Sequence, residues 1–261
     1  MRRFLVTGAS GVIGRNTEGT RRALEGARAA KVGRFVFSSS IKAMSREELD
    51  TPEDANGQPR PWNETDAIEP DTPYGKSKLA AEKLVLHGGY IPEPVVLRLC
   101  MVYGVGTKGN LQKMLWAVNR GKFPPLPEVR NRRSMVGIRD AVQAALLAVN
   151  KSEAIGQVFI VSDGHAYSTR QVYELMCLAL NRSIPRWTLP ISAMRALGLL
   201  GDIIGTLRRR RFVFDSVSLA KLIGSAWFSA QKIERTLGFK ANSHLRAALA
   251  ALGEMAAELC G

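Results

Sequence analysis

The stretch Arg3-Phe4-Leu5-Val6-Thr7-Gly8-Ala9-Ser10-Gly11-Val12-Ile13-Gly14 decides how this chain is read. Residues 3–7 are a short apolar run suited to a buried strand, and the glycines after them are spaced GxxGxxG at the start of a helix. Glycine at such a junction lets the backbone turn sharply and lets a pyrophosphate approach the amides at the positive end of the helix. The plainer alternative is a glycine-rich turn that binds nothing. Good helix formers run from Thr20 to Ala30, Gly33 ends the helix, and Arg34 to Ser38 resumes as strand. The N-terminal segment is therefore one complete βαβ unit.

Outward from this unit the same alternation continues. A Pro/Asp/Glu/Asn-rich loop, Ser45 to Pro73, precedes a predicted helix at Tyr74 to Leu86, a strand at Val95 to Leu99 and a helix around Leu111 to Asn119. A helix at Asp140 to Val149, a strand at Gln157 to Ser162 and a helix at Thr169 to Leu180 follow, and the remainder has a mostly helical pattern. Strands alternating with helices predict an α/β protein with a doubly wound parallel sheet. No internal repeat interrupts it.

Composition narrows the function classes. With 46% hydrophobic and 23% charged residues in 261, the chain is neither disordered, collagenous nor a polytopic membrane protein. A net charge of +14 and a pI near 10.1 point to anionic ligands, nucleic acid or an acidic membrane face; no nucleic-acid motif accompanies the charge, and none is expected to bind. Cys100, Cys177 and Cys260 are scattered, which argues against a disulfide framework or a metal site and fits a reducing cytoplasm. The apolar stretch Leu189 to Leu207 is interrupted by Arg195 and Asp202, so it reads as a helix in a core or lying on an interface rather than a membrane span. Arg208 to Arg211 read as a solvated or membrane-facing surface rather than a catalytic group. His87, His165 and His244 share no motif.

The chemistry-bearing pattern is Tyr74-Gly75-Lys76-Ser77-Lys78, which on a helix puts a phenol and an ammonium on one face. A nearby ammonium favours phenolate and so makes the phenol a better base at neutral pH. A YxxxK arises often by chance, but Ser38-Ser39-Ser40 stands at the carboxyl end of a predicted strand, where open α/β sheets bind ligands. The bland reading of those serines is local turn hydrogen bonding.

Together TGASGVIG, RFVFSSS, PYGKSK and VVLRLCMVYG resemble the extended short-chain dehydrogenase/reductase superfamily, in particular its NAD-dependent nucleotide-sugar epimerase/dehydratase family, over nearly the whole chain. The resemblance implies a shortened Rossmann-like domain at 1–105 and 140–165 and a smaller, mostly helical substrate-binding region at 106–139 and 166–261. It implies Tyr74 as catalytic base, Lys78 as the residue that binds the nicotinamide ribose and lowers the Tyr74 pKa, and Ser40 as partner of the reacting sugar hydroxyl. Gly8, Gly11, Val12, Ile13, Gly14, Asn16, Ser38 and Cys100 join Tyr74 and Lys78 in the cofactor site. Asn110, Leu111 and Arg133 match positions that hold the diphosphate and uridine of a sugar nucleotide, and a guanidinium fork suits phosphate on its own account; a solvated basic loop at Arg130 to Arg133 is the alternative.

Two departures from the family pattern shape the expectation. No Asp or Glu occurs between Glu25 and Glu47, and on the order of 80 residues of the doubly wound half-domain that normally separate the positions of Gly14 and Asn16 are missing. The adenine and ribose pocket thereby loses its wall, so weakened NAD binding is expected; Arg15, Arg21 and Arg22 leave NADP open. Ile41-Lys42 also stand where family dehydratases carry an Asp-Glu pair, and Met101 replaces the family asparagine after Arg98. The expected function is a UDP-hexose 4-epimerase-like reaction on a nucleotide sugar. A 4-keto sugar-nucleotide reductase and a catalytically impaired nucleotide-sugar-binding remnant are the alternatives. A homodimer built on the Tyr74 helix, with Leu79, Ala80, Leu84 and Leu86 as packing residues, and peripheral membrane contact are the partner expectations.

Overall fold

In the computed structural model, which describes residues 4–7, 13–44, 51–66, 69–107, 109–208 and 214–258, the chain runs β1 (Phe4–Thr7), α1 (Ile13–Ala29), β2 (Arg34–Ser40), a 3-10 turn (Ile41–Met44), α2 (Pro73–His87), β3 (Glu93–Leu99), β4 (Met101–Tyr103) and α3 (Asn110–Asn119). It continues with β5 (Arg133–Gly137), α4 (Ile138–Asn150), a second 3-10 turn (Ser152–Ala154), β6 (Val158–Val161), β7 (Ala166–Tyr167), α5 (Thr169–Ala179), α6 (Ile191–Leu207), α7 (Ser216–Ile223), α8 (Gln231–Leu237) and α9 (Leu245–Glu258). β1, β2, β3 and β6 form one parallel sheet in that order. The predicted α/β class and parallel sheet are those observed, and the sequence analysis had no signal for β4, β5 and β7, which form a second, smaller sheet.

Strand alternation sorts the core. Phe35 and Phe37 of β2 and Val96 of β3 pack with Leu24 and Ala27 of α1 and Ala81 and Val85 of α2 on one face. Val36, Val95 and Leu97 face the other way, onto Ala144 and Ala148 of α4 and onto Phe228, Ile233 and Phe239 from and around α8. β2 and β3 are thus covered on both sides, as buried crossover topology requires. Arg34 locks the lower end: buried, it donates to Glu93 at 2.8 Å and to the carbonyls of Val149 at 2.5 Å and Lys151 at 2.8 Å, so a guanidinium satisfies orphan acceptors at the end of α4.

β1 is an edge strand. Among the described strands its partner is β2, with Phe4 paired to Arg34 and Thr7 to Phe37, and Phe4 and Leu5 are exposed. The first strand feeding directly into the Ser40 strand is what the sequence analysis expected. The acidic loop is anchored by its backbone: Trp62 N donates to Trp227 O at 2.9 Å, and Ser229 N to Trp62 O at 2.8 Å. A third core, including Tyr103, Leu111, Met135, Tyr173 and Leu249, unites the small sheet with α3, α5 and α9.

Candidate active site

Ser38, Ser39 and Ser40 end β2 at the carboxyl edge of the parallel sheet, the side on which such sheets bind ligands. The chain then tightens into the 3-10 turn and returns, after the long loop, as α2. Thr72 caps that helix, its Oγ1 accepting from Gly75 N at 3.0 Å, and Pro73 occupies the first helical position, where its missing N–H costs nothing. Gly75 is required by closeness rather than by φ: a Cβ there would lie 2.3 Å from the Lys42 carbonyl oxygen and 2.7 Å from Pro70 Cβ. The first turn of α2 is therefore pressed onto the residues just past Ser40, which puts the Tyr74 phenol near enough to the Ser40 hydroxyl for the latter to favour its ionised form.

One turn on, Lys78 is buried, donates from Nζ to the Ser38 carbonyl oxygen at 3.2 Å and sits over the Phe37 ring at 4.9 Å from its centroid. Burial pushes its pKa down, and the carboxylate of Glu82 opposes that. The Tyr74 phenol, partly exposed, has its pKa raised by burial, which outweighs the lowering by Ser40. The sequence analysis expected Lys78 to lower it; in the structure the ammonium is committed to Ser38, and desolvation governs the phenol.

A buried ionic cluster one turn beyond holds this arrangement, and sequence reasoning missed it. Ser39 Oγ donates to Glu82 Oε1 at 2.5 Å, and Arg98 of β3 pairs with Glu82 at 2.7 Å. The register sets this up, since Ser39 is directly opposite Arg98. The available signal was an arginine inside the otherwise apolar run Val95-Val96-Leu97-Arg98-Leu99, with a glutamate four and eight residues past Lys78 and Tyr74.

The other expected residues divide. Gly8, Gly11 and Val12 lie outside the described residues, as do Arg209 to Arg211 and Cys260; Ile13, Gly14 and Asn16 fall in the first turn of α1 by their backbone. Arg21 and Arg22 are engaged by Glu18, and Arg21 also by Glu25, along the outside of α1. Cys100 is packed in the core, where burial pushes its thiol pKa well up. Asn110 is exposed at the start of α3 and Leu111 is core, so Leu111 offers a ligand its backbone amide rather than its side chain. Arg133, read as a site residue or part of a basic loop, begins β5; its Nη2 donates to the Lys221 carbonyl, its Nε has no partner, and burial without a carboxylate drops its pKa to about 10. Leu84 and Leu86 are partly buried and pack against the α1/α2 core. Among the described residues no His/Cys/Asp/Glu group is arranged to hold a metal ion, and no helix is long and apolar enough to cross a membrane.

This donor set fits the nicotinamide end of a dinucleotide: a buried ammonium, a phenol and a hydroxyl gathered at the strand ends. The adenosine end finds no described strand beyond β1. Fold and cluster together define a Rossmann-like α/β protein with a phenol, an ammonium and hydroxyls at the carboxyl edge of its parallel sheet. The chain belongs to the NAD dependent epimerase/dehydratase family, whose sequence model matches residues 6–162. It is similar to UDP-glucose 4-epimerase of Vibrio cholerae, with 31% identity over 86% of this chain and 63% of that protein. It is also similar to N-acetyl-alpha-D-glucosaminyl-diphospho-ditrans,octacis-undecaprenol 4-epimerase of Escherichia coli O157:H7, with 26% identity over 87% of this chain and 66% of that one. The chain thus spans a little under two thirds of the length of these relatives. Among solved structures, the dTDP-glucose 4,6-dehydratase of Bacillus anthracis in complex with NAD superposes with a TM-score of 0.71 at 16% identity, over 98% of this chain and 73% of that one.

Proposed function

We propose that this protein is an NAD-dependent epimerase of a nucleotide sugar, acting at C4 of a UDP-hexose, with its reaction centred on Ser40, Tyr74 and Lys78. The observation that carries the reading is the buried Lys78, one turn past Tyr74 and held by the Ser38 carbonyl at the carboxyl end of β2, where Ser40 also stands. NAD, when bound, supplies the acceptor and donor of the C4 hydride. Tyr74 takes the proton of the sugar 4-hydroxyl as that hydroxyl is oxidised and returns it when the ketone is reduced from its other face. Ser40 donates to the same sugar oxygen and holds it against the phenol. Lys78 stabilises the phenolate form and reaches the nicotinamide ribose, leaving the Ser38 carbonyl to do so.

Arg133 is the diphosphate partner in this reading, because a half-buried guanidinium with a free Nε and no carboxylate is incomplete until an anion meets it. The amides of Asn110 and Leu111 open α3 without a side-chain cap and complement the same charge. Ile41 is buried in the 3-10 turn where a dehydratase needs an acid, so elimination of water is disfavoured. The division into residues 1–105 with 140–165 for cofactor and 106–139 with 166–261 for substrate is part of the proposal, as is a cytoplasmic setting, which suits the separate buried thiols of Cys100 and Cys177.

A second reading, nucleotide-sugar binding without turnover, is favoured by the outer edge of β1, beyond which no described strand stands where the adenosine wall is expected. Interconversion of UDP-glucose and UDP-galactose in saturating NAD separates the two. The epimerase reading expects turnover that Tyr74→Phe abolishes, and turnover untouched by Tyr74→Phe refutes it. UDP-sugar binding with no turnover supports the second reading.

A further inference from the structure

α6 is amphipathic the wrong way round for a core helix. It turns Met194, Gly198 and Gly201 inward, and Gly198 sits so close to α7 that an added Cβ would meet Ser216 Cα and N at 3.4 Å. Asp202, the sole acidic residue of the helix, is tied to α7 by accepting from Ser216 N at 3.2 Å and from Ser216 Oγ. Outward, Leu199 (61% exposed), Ile203 (56%) and Leu207 (79%) recur at helical spacing as one stripe, with Leu200 beside them and Trp187 exposed just upstream. Isolated exposed leucines are ordinary, but a contiguous apolar ridge along a helix marks a surface that meets something apolar.

The charge around the ridge says what. Residues 175–214 hold seven arginines and one acidic residue, and that acidic residue is the Asp202 already engaged by Ser216. Arg186 precedes Trp187, Arg195 is exposed on α6, and Arg208 is exposed immediately after it, followed in sequence by Arg209, Arg210 and Arg211. We propose that the exposed face of α6, with Trp187 at its start and arginines at both ends, docks this protein onto an anionic phospholipid bilayer, the helix lying in the plane of the headgroups. An apolar face flanked by Arg and Trp is the combination that favours the interface between headgroups and acyl chains, and the anionic cytoplasmic leaflet attracts the arginines. A second copy of the chain fits less well: a two-fold contact between α6 ridges places one basic end against the other, with no acidic residue there to answer it. Among the described residues no helix is long and apolar enough to span, and α6, whose 17 residues rise about 25 Å, carries Arg195 and Asp202. The inference is independent of the proposed sugar chemistry.

The test is co-sedimentation of the whole protein with phosphatidylcholine vesicles, with and without about one third phosphatidylglycerol, a charge density within the range that attracts basic segments. Binding is expected to the anionic vesicles alone and to weaken as salt rises. Because the protein's overall charge could produce that much, Leu199→Ser/Ile203→Ser is the decisive variant. Both side chains are exposed, so its unfolding temperature should match the parent, while partitioning should fall at least about tenfold from the lost apolar area. Arg186→Gln/Arg208→Gln should weaken binding about fivefold per arginine. A serine variant that binds as the parent does, absence of binding to anionic vesicles at low salt, or a parent dimer in light scattering that the serine variant dissociates, each overturns the proposal.

Discussion

Replacing Gly75 with alanine tests the contact that puts Tyr74 beside Ser40. The new Cβ would stand 2.3 Å from the Lys42 carbonyl oxygen, 2.7 Å from Pro70 Cβ and 3.0 Å from Thr72 Oγ1. An ordinary approach of carbon to oxygen is more than 3 Å, so α2 and the 3-10 turn must part by roughly 1 Å, and overpacking of this kind costs about 1–3 kcal/mol. Alanine's better helix propensity returns about 1 kcal/mol, leaving a net loss of up to about 2 kcal/mol. For a chain of this size that lowers Tm by up to roughly 8 °C, measurable by circular dichroism. The effect on turnover is larger in proportion, because a displacement of about 1 Å in a reacting group can cost about 100-fold. Unchanged Tm and unchanged UDP-sugar turnover in Gly75→Ala would refute the reasoning that close packing of α2 on the 41–44 turn positions the phenol.

Two further outcomes follow from the same site. Glu82→Gln leaves Arg98 buried without its counter-charge and should destabilise the fold by about 3–5 kcal/mol in denaturant titration, with the double change Glu82→Gln/Arg98→Met recovering much of the loss. Burial raises the Tyr74 pKa and the Ser40 hydroxyl lowers it, so the base form is gained as pH rises. Activity should therefore climb with pH on its acidic limb, and Ser40→Ala should move that limb upward; a limb that moves down instead contradicts the assignment.

Much of the fold was legible because it rests on local signals: an apolar run, a glycine turn and helix formers gave β1, α1 and β2 within a few residues, and Thr72-Pro73 marks the start of α2 chemically. β4 and β5 were not legible. Met101–Tyr103 continues β3 after a single residue, and Arg133–Gly137 begins inside a basic run that reads as loop, so both are strands by virtue of partners far away in sequence. Ser40, Tyr74 and Lys78 were legible as a pattern, and the approach of α2 to the end of β2 follows from the sheet end and Gly75. The commitment of Lys78 to the Ser38 carbonyl and the Ser39-Glu82-Arg98 cluster depend on the register of β2 with β3 and on burial, which spacing alone does not carry. Which face of α6 turns outward likewise needed its packing on α7, since apolar residues surround Arg195 and Asp202 on all sides of the helix.

The nicotinamide end of a dinucleotide has the Ser40, Tyr74 and Lys78 cluster to meet it, whereas no described strand stands beyond β1 to wall the adenosine end. Calorimetric titration of the purified protein with NAD and with nicotinamide mononucleotide, which lacks the adenosine half, addresses this contrast directly. The account predicts that NAD binds no more than about tenfold tighter than the mononucleotide, an adenosine contribution of no more than about 1.4 kcal/mol. Tight, stoichiometric NAD binding alongside undetectable binding of the mononucleotide would contradict it.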